Sequence, residues 1–235
     1  MRPTVRLGQY FGIDVGLHWT IALIAVLLTT TLSGSVLPEF APGHSTAAYV
    51  ATALATAVLF MISIVAHEMG HYVACLRYNI IATRPYFLPL PPLDFTLTGT
   101  LGAFIRVKSR FPDKQALFDV GVAGPLAGFV VAVPALFIGV WMSRIERIPA
   151  DMPFTIWLGE PLLFKLAQWS IWGTIADGYT LNMHPMAFGA WFGLIATSLN
   201  LFPVAQLDGG HIAYAVFGRR SVKLTYAMVA VAIGL

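Results

Sequence analysis

The stretch VAHEMGHYVA, residues 65–74, decides the reading of this chain. It places two imidazoles and a carboxylate inside a run of small apolar residues that otherwise reads as lipid-soluble helix. An ionised group within a span costs about 2.5–3.5 kcal/mol even on mild scales, so such residues are functional candidates by default. His67 and His71 are four apart and stack on one helical face. Both rings can then reach one metal ion about 2 Å from each ring nitrogen. Glu68, one residue on, is near enough to touch a metal-bound water without being an obligate ligand. This is the HExxH arrangement, in which the glutamate takes a proton from that water. Gly70 is read as leaving an open wall beside the metal.

The rest of the sequence supports a membrane setting. The chain is 57% hydrophobic and 11% charged, far below the roughly 25% charged of a soluble domain. A net charge of +3 is too small and too scattered for a nucleic-acid footprint. The single cysteine, Cys75, excludes an internal disulfide framework and is read as small buried packing. The N-terminus has no compact signal-peptide core followed by a cleavage site.

A bilayer core of about 30 Å needs about 20 apolar residues in helix. Charge-free runs of that size predict spans near 19–38, 47–76 (charge-free to 66), 120–143 and 185–207. A fifth run, 224–235, is too short to cross and is expected to continue in a longer protein. Of the fourteen Lys and Arg residues, all but Arg144, Arg147 and Lys165 fall on one side of these spans. The positive-inside rule then predicts a cytosolic N-terminus in a cell membrane, with the HEMGH motif towards the cytosolic side. The predicted fold class is an all-α polytopic membrane protein, a single domain over 1–235. Residues 79–118 form a long connection whose FTLTGTLGAFIRV segment alternates weakly and predicts a small membrane-associated hairpin or sheet. Residues 144–184, rich in Trp and Leu, predict an outer interfacial amphipathic segment.

Two histidines do not complete a hydrolytic zinc site, which usually has three protein ligands and one open position. The other acid expected at membrane depth is Asp208, in TSLNLFPVAQLDGGH (197–211), at the cytosolic end of the fourth span. Pro203 breaks the helix there, and Gly209 and Gly210 permit close backbone approach. Asn200, two turns above Asp208 on this reading, is a candidate to hold substrate backbone. His211 follows the glycine pair and is a further candidate to approach substrate. Gly124 and Gly128 stand in small-xxx-small spacing, which favours close helix packing.

HExxH in one span with NLFP and LDGG in a later one resembles the site-2 protease family of intramembrane zinc metalloproteases. The similarity extends to GTLGAFIRV and FDVGVAGPLAG and covers roughly residues 12–217. It implies a three-span catalytic core in spans two to four, of the compact prokaryotic type without a PDZ-like insertion. It also implies one Zn²⁺ per chain on His67, His71 and Asp208, with Glu68 activating water. The implied activity is endopeptidase cleavage of the transmembrane segment of another membrane protein. For that, the glycine-punctuated segment around Gly99 and Gly102 is read as offering a strand edge to unwound substrate. The alternative is an inactive metal-binding scaffold or a metal-ion transporter. A transporter, however, should spread its ligands along a path through several spans.

Overall fold

A computed structural model describes residues 5–10, 13–17, 20–40, 42–83, 86–89, 100–148, 159–204 and 206–234. The expected Gly99 contact lies outside these residues. The chain is mostly helical, as predicted. Among the described residues, three helical stretches are long and apolar enough to cross a membrane: Ala22–Glu39, Thr46–Arg77 and Lys114–Met142. The chain divides into two units, the first comprising 1–61, 86–103 and 134–191 and the second 62–85, 104–133 and 192–235.

In the first unit, hairpin β1 (Val5–Tyr10) and β2 (Ile13–Leu17) precedes α1 (Thr20–Thr31). A π-helical turn, Leu32–Val36, then joins α1 to α2 (Leu37–Phe40). The small sheet expected between spans two and three is present as β3 (Tyr86–Pro89) paired with β4 (Thr100–Phe104), and Gly102 lies in β4. A third hairpin, β5 (Arg144–Arg147) with β6 (Tyr179–Asn182), flanks helix α5 (Leu162–Trp172). Neither the β1–β2 nor the β5–β6 hairpin is legible in the hydrophobic pattern, because strands of four to six residues are too short to show alternation. Helix α5 buries Phe164 and Ala167 and exposes Leu162, Leu166 and Trp169 beside Lys165. Its exposed side thus mixes apolar and charged groups. The indole N–H of Trp172 donates to the Val140 carbonyl, and that of Trp191 to the Gly159 carbonyl. The second satisfies the polar edge that a buried tryptophan must place somewhere, since Trp191 is buried and Trp172 is not.

Three long helices, α3 (Thr46–Arg77), α4 (Lys114–Met142) and α6 (Pro185–Asn200), contribute residues to both units. Helix α3 starts where the Ser45 hydroxyl accepts the Ala48 N–H, a side-chain N-cap. It ends in the second unit on a Schellman motif. Asn79 adopts a left-handed φ of 54°, and the Ile80 N–H donates to the Cys75 carbonyl at 2.8 Å. Ile80 and Cys75 are buried in one cluster with Ala116 and Val120, the apolar contact that accompanies this cap. Helix α4 is capped by Asp113, whose carboxylate accepts the Ala116 N–H at 2.7 Å.

The fourth predicted span differs from expectation. Helix α6 stops at Asn200, three residues before Pro203, whose ring cannot donate the next helical bond. Its sixteen residues make about 24 Å of helix, short of a bilayer core. Past Asn200 the Leu201 N–H donates to the Thr197 carbonyl and the Phe202 N–H to that of Leu199, and Asp208 opens a new helix, α7 (Asp208–Phe217). Asp208 is therefore not the end of span four, and Asn200 is not two turns above it on a common helix. A 3₁₀ turn (Gly218–Arg220) leads into α8 (Ser221–Gly234). The Thr225 hydroxyl of α8 donates to the Pro203 carbonyl at 3.1 Å, which ties α8 to the chain just past α6.

Candidate metal centre

All the candidate metal residues belong to the second unit. The i, i+4 spacing on α3 turns His67 and His71 to one face, with ring centroids 5.0 Å apart. Asp208 meets them from the first turn of α7. Its Oδ2 stands 3.0 Å from His67 Nε2 and 3.2 Å from His71 Nε2. One ligand atom from each of the three lies within 4.8 Å of the others. Two ligands about 2.0–2.2 Å from one tetrahedral ion stand about 3.3–3.5 Å apart, so each Asp208–histidine pair is within a few tenths of an ångström of sharing an ion. The donor set of two imidazoles and one carboxylate fits zinc.

The orientation of His71 is settled by the backbone of α4. Its Nδ1–H donates to the Val120 carbonyl at 2.7 Å. The other nitrogen, Nε2, is thereby left with its lone pair directed at Asp208 and the presumptive ion site, the usual way an outer partner selects a ligand tautomer. Pro125 carries no N–H, so the Gly121 carbonyl, next to Val120, lacks its regular helical donor. The backbone ladder of α4 is open beside the carbonyl that His71 uses.

The small-xxx-small pair has a more specific role than general packing. A Cβ on Gly124 would collide with the His71 imidazole, at Nε2 and both adjacent ring carbons. A Cβ on Gly128 would stand 3.4 Å from His67 Nδ1 and 3.2 Å from the Thr197 hydroxyl. Each glycine is the floor under one candidate metal imidazole. Gly209, next to Asp208, is equally constrained: a Cβ there would strike the Leu201 carbonyl and come within 2.6 Å of the Phe202 oxygen. That close approach brings α7 back to the end of α6 and sets the position of Asp208.

Glu68 is 4% exposed, His67 5% and His71 6%, so the three motif side chains share a water-poor environment. Gly70 does not form an open wall beside the metal. A Cβ there would lie 2.8 Å from the Ala123 carbonyl carbon and from Ala127 Cβ, which makes it a crossing point of α3 and α4. Cys75 is fully buried in the cluster described above, as expected. His211 is exposed on α7 and stays outside the three-donor group. Asn200, the last residue of α6, is half-buried.

Comparison with known proteins gives the family. The family description "Peptidase family M50" matches residues 55–235. The chain is 33% identical over 156 residues to the probable zinc metalloprotease EGY1, chloroplastic, of Oryza sativa subsp. japonica, covering 65% of this chain and 26% of that protein. It is 30% identical over 170 residues to the Arabidopsis thaliana protein of the same name, covering 69% and 30%. Among solved structures, the site-2 protease from Methanocaldococcus jannaschii aligns with a TM-score of 0.43 and 20% identity, over 94% of this chain and 77% of that one. The chain belongs to peptidase family M50, the site-2 protease family of intramembrane zinc metalloproteases that its motifs resemble. It is a membrane protein of that metalloprotease family. It spans between a quarter and a third of the length of the first curated relatives it matches.

Proposed function

We propose that this chain is an intramembrane zinc metalloendopeptidase that hydrolyses peptide bonds within or near the transmembrane segment of a membrane-protein substrate. The observation that carries the reading is the convergence of His67, His71 and Asp208 with Glu68 buried beside them. Zinc on these three side chains would polarise a peptide carbonyl and ease deprotonation of water near neutral pH. Glu68 takes the proton from the attacking water and passes it to the departing amine, a role suited to a carboxylate adjacent to, but not among, the ligands. The Val120 carbonyl holds His71 in the required tautomer, and Gly124 and Gly128 let both rings approach α4 closely. Burial of the site excludes bulk water, so the fixed dipoles around it act at low dielectric.

The substrate must be unwound locally, because an α-helix engages its own carbonyls. Gly99, Gly102 and Asn200 are the proposed substrate-binding residues. The role extends to regulated intramembrane proteolysis in a cell membrane, with the N-terminus and the active site towards the cytosol, on the strength of the Lys and Arg distribution. A transporter needs donors spaced along a conduit, whereas among the described residues the metal-type donors gather in one group. The test is to express Glu68→Gln in native membranes and identify the membrane protein that accumulates with it. A trapped partner that wild-type protein cleaves in liposomes supports the reading. Cleavage of that partner at wild-type rate by the variant would remove Glu68 from the mechanism.

A further inference from the structure

A second feature of the α3–α4 pair is separate from the metal centre. A cavity of about 670 Å³ lies in the second unit on the stripe of α3 that carries Ala66, Gly70, Val73 and Arg77. His67 and His71 are on a different stripe. Its floor is made by Gly70, Ala123 and Ala127, where the two helices cross closely. Its walls are Val73, 50% exposed, and Leu126, 57% exposed, so it opens sideways towards the hydrocarbon around the spans. Along α3 it runs from Ala66 to Tyr78, about 18 Å of helix.

The two ends differ in chemistry. The upper part is lined by small and aliphatic side chains, while Arg77, Tyr78 and Asp119 gather at the end of α3. The Tyr78 hydroxyl donates to Asp119 Oδ2, which gives that carboxylate a partner. The ion pairs among the described residues are His67–Asp208, His71–Asp208 and Lys165–Glu160, and none uses Arg77. A guanidinium thus caps an apolar trough.

From this we infer that the trough is a phospholipid site, with an acyl chain along Val73 and Leu126 and the phosphate on Arg77. A trough of about 670 Å³ along about 18 Å of helix has room for one hydrocarbon chain. Arg presents paired N–H donors that match phosphate oxygens, and basic pockets between spans are a recurrent headgroup site. The assignment does not depend on the proteolytic reading.

The test uses the purified full chain in a mild non-ionic detergent, titrated with phosphatidylglycerol and followed by thermal unfolding and native mass spectrometry. Wild-type protein should bind this lipid and gain thermal stability, and diacylglycerol of the same chains should do neither. Arg77→Gln should weaken binding about tenfold, the scale of one lost hydrogen bond to a charged group. Val73→Trp, which fills the trough from an exposed wall, should abolish binding while zinc content stays at the wild-type level. Equal binding by Arg77→Gln, equal stabilisation by diacylglycerol, or equal stabilisation by inorganic phosphate alone would each overturn the site. So would a photoreactive group at position 73 that crosslinks a transmembrane peptide in preference to lipid.

Discussion

At the residue scale, Glu68 and Asp208 are two acids beside the same pair of imidazoles, and substitution should separate their roles. Glu68→Gln keeps size and packing, so zinc content measured by atomic absorption should remain at wild type. Peptide hydrolysis in liposomes should fall by about 10²–10⁴-fold, the usual contribution of a positioned general base. Asp208→Ala removes a donor that approaches both Nε2 atoms, so zinc content and activity should fall together. Full zinc occupancy in Asp208→Ala, or zinc loss in Glu68→Gln, would exchange the two assignments. Gly124→Ala tests the floor under His71. The added methyl meets the imidazole itself, and overpacking of this kind typically costs about 1–3 kcal/mol. The expected result is a lower Tm and impaired zinc binding, although no ligand has been altered. HExxH and LDGG are local spellings of chemistry, so these candidate residues could be read from the chain. The importance of Gly124 could not, because its partner is 53 positions earlier and the spacing alone indicates only close packing.

At the scale of elements, the end of α3 lies two turns beyond His71 and is set by a left-handed residue. Asn79 has a φ of 54°, which costs most side chains about 1–2 kcal/mol. Asn79→Gly should be tolerated, while Asn79→Val should lower unfolding stability by about that amount, as read from thermal or denaturant unfolding in detergent. Equal stability of the two variants would mean that the cap contributes nothing. Pro203 acts at the same scale. Hydropathy predicts one fourth span ending near Asp208, and the chain instead makes α6 and, from Asp208, α7. Charge-free length cannot distinguish one helix from a helix and a return turn, because both are equally apolar. The proline and the glycine pair marked the break, but the contact of Gly209 with the Leu201 and Phe202 carbonyls determines where Asp208 emerges.

At the scale of the whole molecule, His67 and Asp208 meet although they are 141 residues apart in sequence. A metal bound there links α3 to α7, so removing it with a chelator should lower Tm, and zinc should restore it. Binding at a hundred times Kd stabilises by about 2.7 kcal/mol, and Asp208→Ala should be nearly indifferent to chelation. A Tm unmoved by chelator in zinc-loaded wild-type protein would argue against the metal centre. Topology is tested separately by thiol labelling in a Cys75→Ser background. A cysteine at Lys108 should label only from the cytosolic side, and labelling from outside would reverse the proposed orientation. The sequence by itself determined the membrane setting, the principal spans and the four candidate catalytic and metal residues. These follow from composition, from charge-free length and from side-chain types whose burial is too costly to be incidental. Tertiary structure alone decided the tautomer of His71, the imidazole floors at Gly124 and Gly128, the closed packing at Gly70 and the start of α7 at Asp208. Each depends on which backbone atoms come within a few ångströms across distant segments, and no periodicity along the chain encodes that distance.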